Sequence, residues 1–237
     1  MSDTTGTGKT IDLNADLGEG FDSDVALCAL VTSANISTGA YTNNFAAVRK
    51  TLRVAVANEV CVGMHPGFPD VASFGRVLPS NVDLERLEAS LDVQVNQFLE
   101  YCEVEGATCC YLKPHGALYH AMVDVPGVGE VIEGLAQQYN LPLLHQRAAA
   151  LDKRVNVEVY SEGFAERRYL DEHRLVPRSQ SNAFIELPAE AARQAVQLAD
   201  RVDSICIHGD AAQAVEVART VREQLQAAGY AIQSFVG

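Results

Sequence analysis

Ile11-Asp12-Leu13-Asn14-Ala15-Asp16-Leu17-Gly18-Glu19-Gly20 is the stretch on which the fold turns. Apolar and polar residues alternate through Leu17, as in a strand, and a Gly-rich turn follows. An open doubly wound sheet usually places a phosphate-binding turn after its first strand. Here Asp16 and Glu19 stand where a phosphate would sit, so a closed parallel barrel is the better reading.

The same unit recurs along the chain. β-like runs cover Ile11–Leu17, Val31–Ser37, Val60–Met64, Cys109–Lys113, Leu141–His145, Val155–Tyr160 and Ser204–Ile207, and a short run, Ala231–Val236, closes the chain. Helical spacing of apolar residues separates them. It is clearest at Leu84, Leu87, Leu91, Val95, Phe98 and Cys102, and again at Ala214, Val215, Ala218, Val221 and Leu225. Shorter helices are expected over Asn44–Ala57 and Glu190–Leu198. Strands alternating with helices predict an α/β fold, a seven-stranded parallel β/α barrel. A length of 237 residues suits one such domain. Gly6-Thr7-Gly8-Lys9-Thr10 imitates a phosphate-binding loop but follows no strand. Residues 1–10 therefore read as a flexible tail and 11–237 as a single barrel domain.

Bulk composition narrows the partners. Hydrophobic residues make up 48% of the chain, enough for a large core. The net charge of -13 repels phosphate backbones and anionic lipid, which excludes nucleic acid and membrane as natural partners. The polar N-terminus has no signal-peptide core, so a cytoplasmic protein is expected. None of the six cysteines forms a CxxC pair, and free thiols are expected. The oligomeric state stays open, a homo-oligomer included.

The strand ends carry the chemistry. Asn14, Asp16 and Glu19 follow the first run, and paired carboxylates can separate into an acid and a base. Asn35 lies on the second. His65-Pro66-Gly67-Phe68-Pro69-Asp70 is a rigid loop after the third, and Phe74-Gly75-Arg76 offers a guanidinium for a carboxylate. Lys113-Pro114-His115-Gly116-Ala117-Leu118-Tyr119 puts a lysine at the end of a buried strand, where it needs an anion. Glu162 follows the sixth run, Arg178 lies downstream, and His208-Gly209-Asp210 follows the seventh, with Asp210 expected as a helix N-cap. Asp16, His65, Lys113 and His115 are the catalytic candidates. Asn14, Glu19, Asn35, Arg76, Glu162, Arg178 and His208 are the substrate-binding candidates. Asp16, His65 and His208, with His115, have the donor types of a first-row metal site, though no short-range ligand motif joins them. His120, His145 and His173 sit in no motif, and structural or surface roles are expected for them.

Taken together the motifs resemble the LamB/YcsF family, the lactam-utilisation proteins that include the A subunit of prokaryotic 5-oxoprolinase. The matching segments are Asp12–Glu19, Thr32–Ile36, Gly63 with His65–Asp70, Phe74–Arg76, Lys113–Tyr119, Phe164-Ala165 with Arg167, Tyr169, Leu175–Arg178 and Cys206–Asp210, in family order. The resemblance implies a glycoside hydrolase/deacetylase-like barrel. It also implies ATP-dependent opening of 5-oxo-L-proline to L-glutamate, with ATP as co-substrate and subunits B and C as partners. Two departures stand out: Tyr41 replaces a family histidine and Asn44 a family aspartate. A tyrosine is no base at pH 7, and an asparagine carries no charge. Three readings follow: a lactam hydrolase subunit, a catalytically impaired paralogue that binds a small acid or regulates a partner complex, and a metal-dependent deacetylase-like hydrolase.

Overall fold

Strand β1 (Lys9–Leu17) is the hub of the architecture. The computed structural model describes residues 8–151, 155–171, 174–210 and 213–236. β1 pairs in parallel with β2 (Ser33–Ser37), and the series continues through β3 (Cys61–His65), β4 (Cys109–Leu112), β5 (Leu143–His145) and β6 (Val159–Phe164). A small antiparallel pair, β7 (Tyr169–Asp171) and β8 (Arg174–Leu175), stands apart. β9 (Ser204–His208) pairs with β6 and, through Asp12↔Ser204 to Asp16↔His208, with β1. That pairing closes a barrel of seven parallel strands. β10 (Tyr230–Ile232) adds to the start of β1 at Lys9–Ile11.

The helices are α1 (Asp24–Cys28), α2 (Phe45–Ala57), α3 (Leu84–Glu105), α4 (Gly116–Asp124), α5 (Val128–Gln138), α6 (Ala148–Leu151), α7 (Pro188–Leu198) and α8 (Ala214–Ala227). Among the described residues none is long and apolar enough to cross a membrane. The apolar stripe of α3 buries Leu87, Leu91, Val95, Phe98 and Cys102, and Asp83 caps its first turn by accepting the Arg86 N–H. Gly106 ends it at φ 72°, a left-handed conformation that favours glycine. All six cysteines are free thiols.

Alternation along β1 separates two environments. Ile11, Leu13, Ala15 and Leu17 join the apolar core. Asp12, Asn14 and Asp16 are buried too, and their side chains bond to those of neighbouring strands inside the barrel. Barrel interiors are usually filled by branched apolar residues. This one is polar. Thr32, Ser33 and Ser204 hydroxyls donate to Asp12, Asn14 donates to Ser204, and Asn35 donates to both Asn14 and Asp16. Tyr111 crosses the interior to donate to Asn35 at 2.6 Å.

The Tyr111 ring needs Gly63 beneath it: a Cβ there would lie 2.2 Å from ring atoms. Gly63→Ala should therefore lower stability by about 1–3 kcal/mol through overpacking. Urea denaturation reads this, and an unchanged midpoint would mean that the ring shifts freely.

The structure moves several boundaries. β1 begins at Lys9, so Lys9 and Thr10 belong to a strand and not to the tail; residues 1–7 of that tail lie outside the described residues. The sixth strand is Val159–Phe164, not Val155–Tyr160. Val155, Val157 and Val159 alternate as a strand would, but pairing of Glu162–Phe164 with β9 selects the later window. Glu162 is consequently inside a strand rather than after it. The last strand is Tyr230–Ile232, shorter than the run Ala231–Val236, and Phe235 beyond it packs against Tyr111 and Tyr160.

Candidate functional site

The carboxyl ends of the strands converge on one buried cation. Lys113 leaves β4 and is 2% exposed. Its Nζ lies 3.0 Å from Asp16 Oδ1, 2.9 Å from Glu162 Oε2 and 3.2 Å from Cys206 Sγ. Burial disfavours its charge, yet Asp16 foremost among its neighbours raises the ammonium well above the usual lysine range. Burial would likewise raise Asp16, but Lys113 and then His65 hold that carboxyl well below the usual range. Glu19 behaves oppositely. Burial and then the Asp16 charge push its carboxyl well above the ordinary value. Two carboxyl groups three residues apart are thus split into an anion and an acid.

Three histidines surround Asp16 and Glu19, and each has one ring nitrogen committed outward. His65 Nδ1 is 2.6 Å from the Lys113 carbonyl, and His115 Nε2 is 2.9 Å from the Phe74 carbonyl. A carbonyl only accepts, so both nitrogens carry protons. His208 Nδ1 bonds to the Glu166 carboxylate. The inner nitrogens face one another and the acids: His65 Nε2 is 3.1 Å from His115 Nδ1 and 3.4 Å from Asp16 Oδ2. His115 Nδ1 is 3.4 Å from Glu19 Oε1, and His208 Nε2 is 3.7 Å from Asp16 Oδ2. Burial, then His65, lowers His115 well below the usual histidine range.

Above this floor a narrow well of about 60 Å³ is lined by Asp16, Glu19, His65, Lys113, His115 and His208. It shares Arg76, His120, Arg167 and Arg178 with a wide cleft of about 1140 Å³ that also holds Arg147 and Arg174. Arg76 and Arg178 both donate to Asp210 Oδ2, at 2.7 and 3.0 Å. Arg147 in turn pairs with Asp124 and Arg174 with Asp171 at the mouth.

The LamB/YcsF family model matches residues 11–237. The chain belongs to the LamB/YcsF family. It is 35% identical to a 5-oxoprolinase A subunit of Neisseria meningitidis serogroup C, over 95% of this chain and 100% of the relative. A crystal structure of the lactam utilization protein from Thermus thermophilus superposes with a TM-score of 0.84 at 31% identity, covering 94% of this chain and 99% of that one. A family 4 carbohydrate esterase from Streptomyces lividans shares the fold at TM-score 0.55 and 11% identity, over 95% and 92% of the two chains.

The two departures from the LamB/YcsF pattern now have places. Tyr41 is fully buried, stacks on His115 at 3.8 Å between centroids and donates to Glu19 Oε1 at 3.1 Å. It fills the wall and orients both groups. Asn44 is exposed and caps α2 by accepting the Ala47 N–H. Aspartate and asparagine cap equally well, so this change removes no charge from the floor.

Asp16, Glu19, His65, Arg76, Lys113, His115, Arg178 and His208 all line the well. Asn14, Asn35 and Glu162, read from the sequence as substrate-binding, line neither the well nor the cleft. They are buried in the barrel, where Asn35 donates to Asp16 and Glu162 pairs with Lys113 and accepts from Tyr119. Asp70 also stays off the floor and closes its own turn with Ala72, Ser73 and the Ser73 hydroxyl. Asp210 is not an N-cap: α8 starts from Gln213, and Asp210 bridges two arginines. His145 is locked, with Nε2 donating to the Tyr119 carbonyl and Nδ1 accepting from the Arg147 N–H. His173 lies outside the described residues. Sequence reasoning missed His120 and the positioning role of Tyr41. No motif marked the first, and the family resemblance marked Tyr41 only as a departure.

Proposed function

We propose that the chain is the A subunit of an ATP-dependent 5-oxoprolinase, opening 5-oxo-L-proline to L-glutamate together with subunits B and C. The observation that carries the reading is the ammonium of Lys113, buried at the floor of an arginine-rimmed cleft. The names borne by the relatives, 5-oxoprolinase A subunit and lactam utilization protein, support the choice of substrate. Arg76 and Arg178 suit the substrate carboxylate. Lys113 suits the oxygen of the lactam carbonyl as negative charge develops there.

A lactam carbonyl is a poor electrophile. Transfer of the ATP γ-phosphoryl group to its oxygen releases ADP and activates the carbon. One water then adds, the ring C–N bond breaks and the nitrogen gains a proton. A second water releases phosphate. His208 is the best placed base, because Glu166 holds its Nδ1–H and leaves Nε2 facing the well.

The test measures ADP formation dependent on 5-oxo-L-proline with the purified chain, alone and with both partner subunits. Turnover is expected only in the complex. His208→Gln should lower kcat by roughly 10²–10⁴-fold while the complex still assembles. A complete, folded complex that hydrolyses no ATP in response to 5-oxo-L-proline overturns the reading.

A further inference from the structure

We propose that Glu19, His65 and His115, with Asp16 beside them, bind a divalent first-row transition-metal ion. The argument starts from the tautomers. His65 spends its proton on the Lys113 carbonyl and His115 spends its proton on the Phe74 carbonyl. In the neutral rings His65 Nε2 and His115 Nδ1 are therefore bare lone pairs, and they face each other at 3.1 Å. Something positive must lie between them.

A single shared proton satisfies only that one contact. Two further pairs of potential ligand atoms close on the same space: His115 Nδ1 to Glu19 Oε1, and His65 Nε2 to Asp16 Oδ2, each 3.4 Å. One cation serves all of them at once. Ligands about 2.1 Å from a metal, at roughly tetrahedral to octahedral angles, stand about 3.0–3.4 Å from one another. The three observed separations are of that size. The ligating atoms of Glu19, His65 and His115 lie within 4.8 Å of one another, and all three residues are buried.

The surroundings match those of ligating side chains. Metal-bound histidines almost always donate their second N–H to a carbonyl or carboxylate, as both do here. Tyr41 donates to Glu19. Asn35 and Lys113 occupy Asp16 Oδ1 and leave Oδ2 facing His65. Lys113 divides its charge between Asp16 and Glu162. Mixed imidazole and carboxylate donors suit zinc, iron or cobalt better than calcium or magnesium.

The proposal does not depend on the lactam substrate, and its test uses none. The full chain, stripped with a chelator, is titrated with Co²⁺ and followed by visible absorption. One equivalent should bind, with the bands of nitrogen and oxygen coordination and no sulfur charge-transfer band. His65→Ala and His115→Ala should each weaken binding by at least about 100-fold. Should a variant fail to fold, histidine ring ¹H–¹⁵N spectra of the wild type with Zn²⁺ decide. His65 Nε2 and His115 Nδ1 should shift, while the outer N–H groups persist. Three results each overturn the proposal: no binding by folded wild type at micromolar Co²⁺, a sulfur-ligated spectrum, or unmoved ring resonances.

Discussion

Lys113→Met should lower the stability of the folded chain by about 3–5 kcal/mol, the usual effect of breaking a buried ion pair from one side. Methionine matches the volume but leaves Asp16 and Glu162 facing each other inside the barrel, both buried. Asn35 still donates to Asp16 and Tyr119 to Glu162, so neither carboxylate is wholly bare. Neither donor carries a charge. Removing the charges together, as Lys113→Met with Asp16→Asn and Glu162→Gln, should recover most of the loss. Turnover in the complex should stay about 10²–10³-fold down in both proteins, because the donor to the developing oxyanion is missing. Urea denaturation and ADP release read the two effects separately. A single variant as stable as the parent would show that the triad is not the electrostatic centre of the barrel.

Asp12→Asn should do the opposite and stabilise the chain at pH 8. Asp12 sits in the barrel interior with only hydroxyl donors, and burial raises its carboxyl from the ordinary 3.8 to about 6. The sign follows from proton binding. Between the two values the folded chain holds a proton that the unfolded chain has released, so stability falls as pH rises through that window. Above about pH 6 both states are ionised and the full penalty is present. Below pH 3.8 both are neutral and it vanishes. The difference between the two values corresponds to roughly 3 kcal/mol. Asparagine imitates the neutral acid, so the variant should exceed the parent by on the order of 2–3 kcal/mol at pH 8 and match it near pH 4. Equal stability at both pH values would mean that the hydroxyls compensate fully for burial of the anion.

Much of the floor was legible because barrel chemistry sits where strands end. Asp16, His65, Lys113, His115 and His208 each follow or finish a short apolar run, and all five line the well. Roles that depend on distant partners were not legible. Lys113 meets Asp16 across 97 positions of sequence, and nothing local to Glu162 says that it faces the same ammonium. Asp210 looked like an N-cap because Gly209-Asp210 precedes a helix; the arginines that claim it come from elsewhere in the chain. Asn44 looked like a lost charge until the start of α2 placed it on the surface.

By itself the sequence determined the periodicities, and with them the strands, the main helices and the family. Alternation and helical spacing are local properties, and a parallel barrel is what such repeating units build. Only the tertiary structure decided which polar residues became floor and which became filling. Closure between β1 and β9 turned the inward face of β1 into a polar interior, and left Asn14, Asn35 and Glu162 bonded within the barrel instead of lining the well. The protonation of Asp16, Glu19 and His115 followed from the same step. Those states depend on burial and on charges contributed by other strands, and neither exists before the barrel closes.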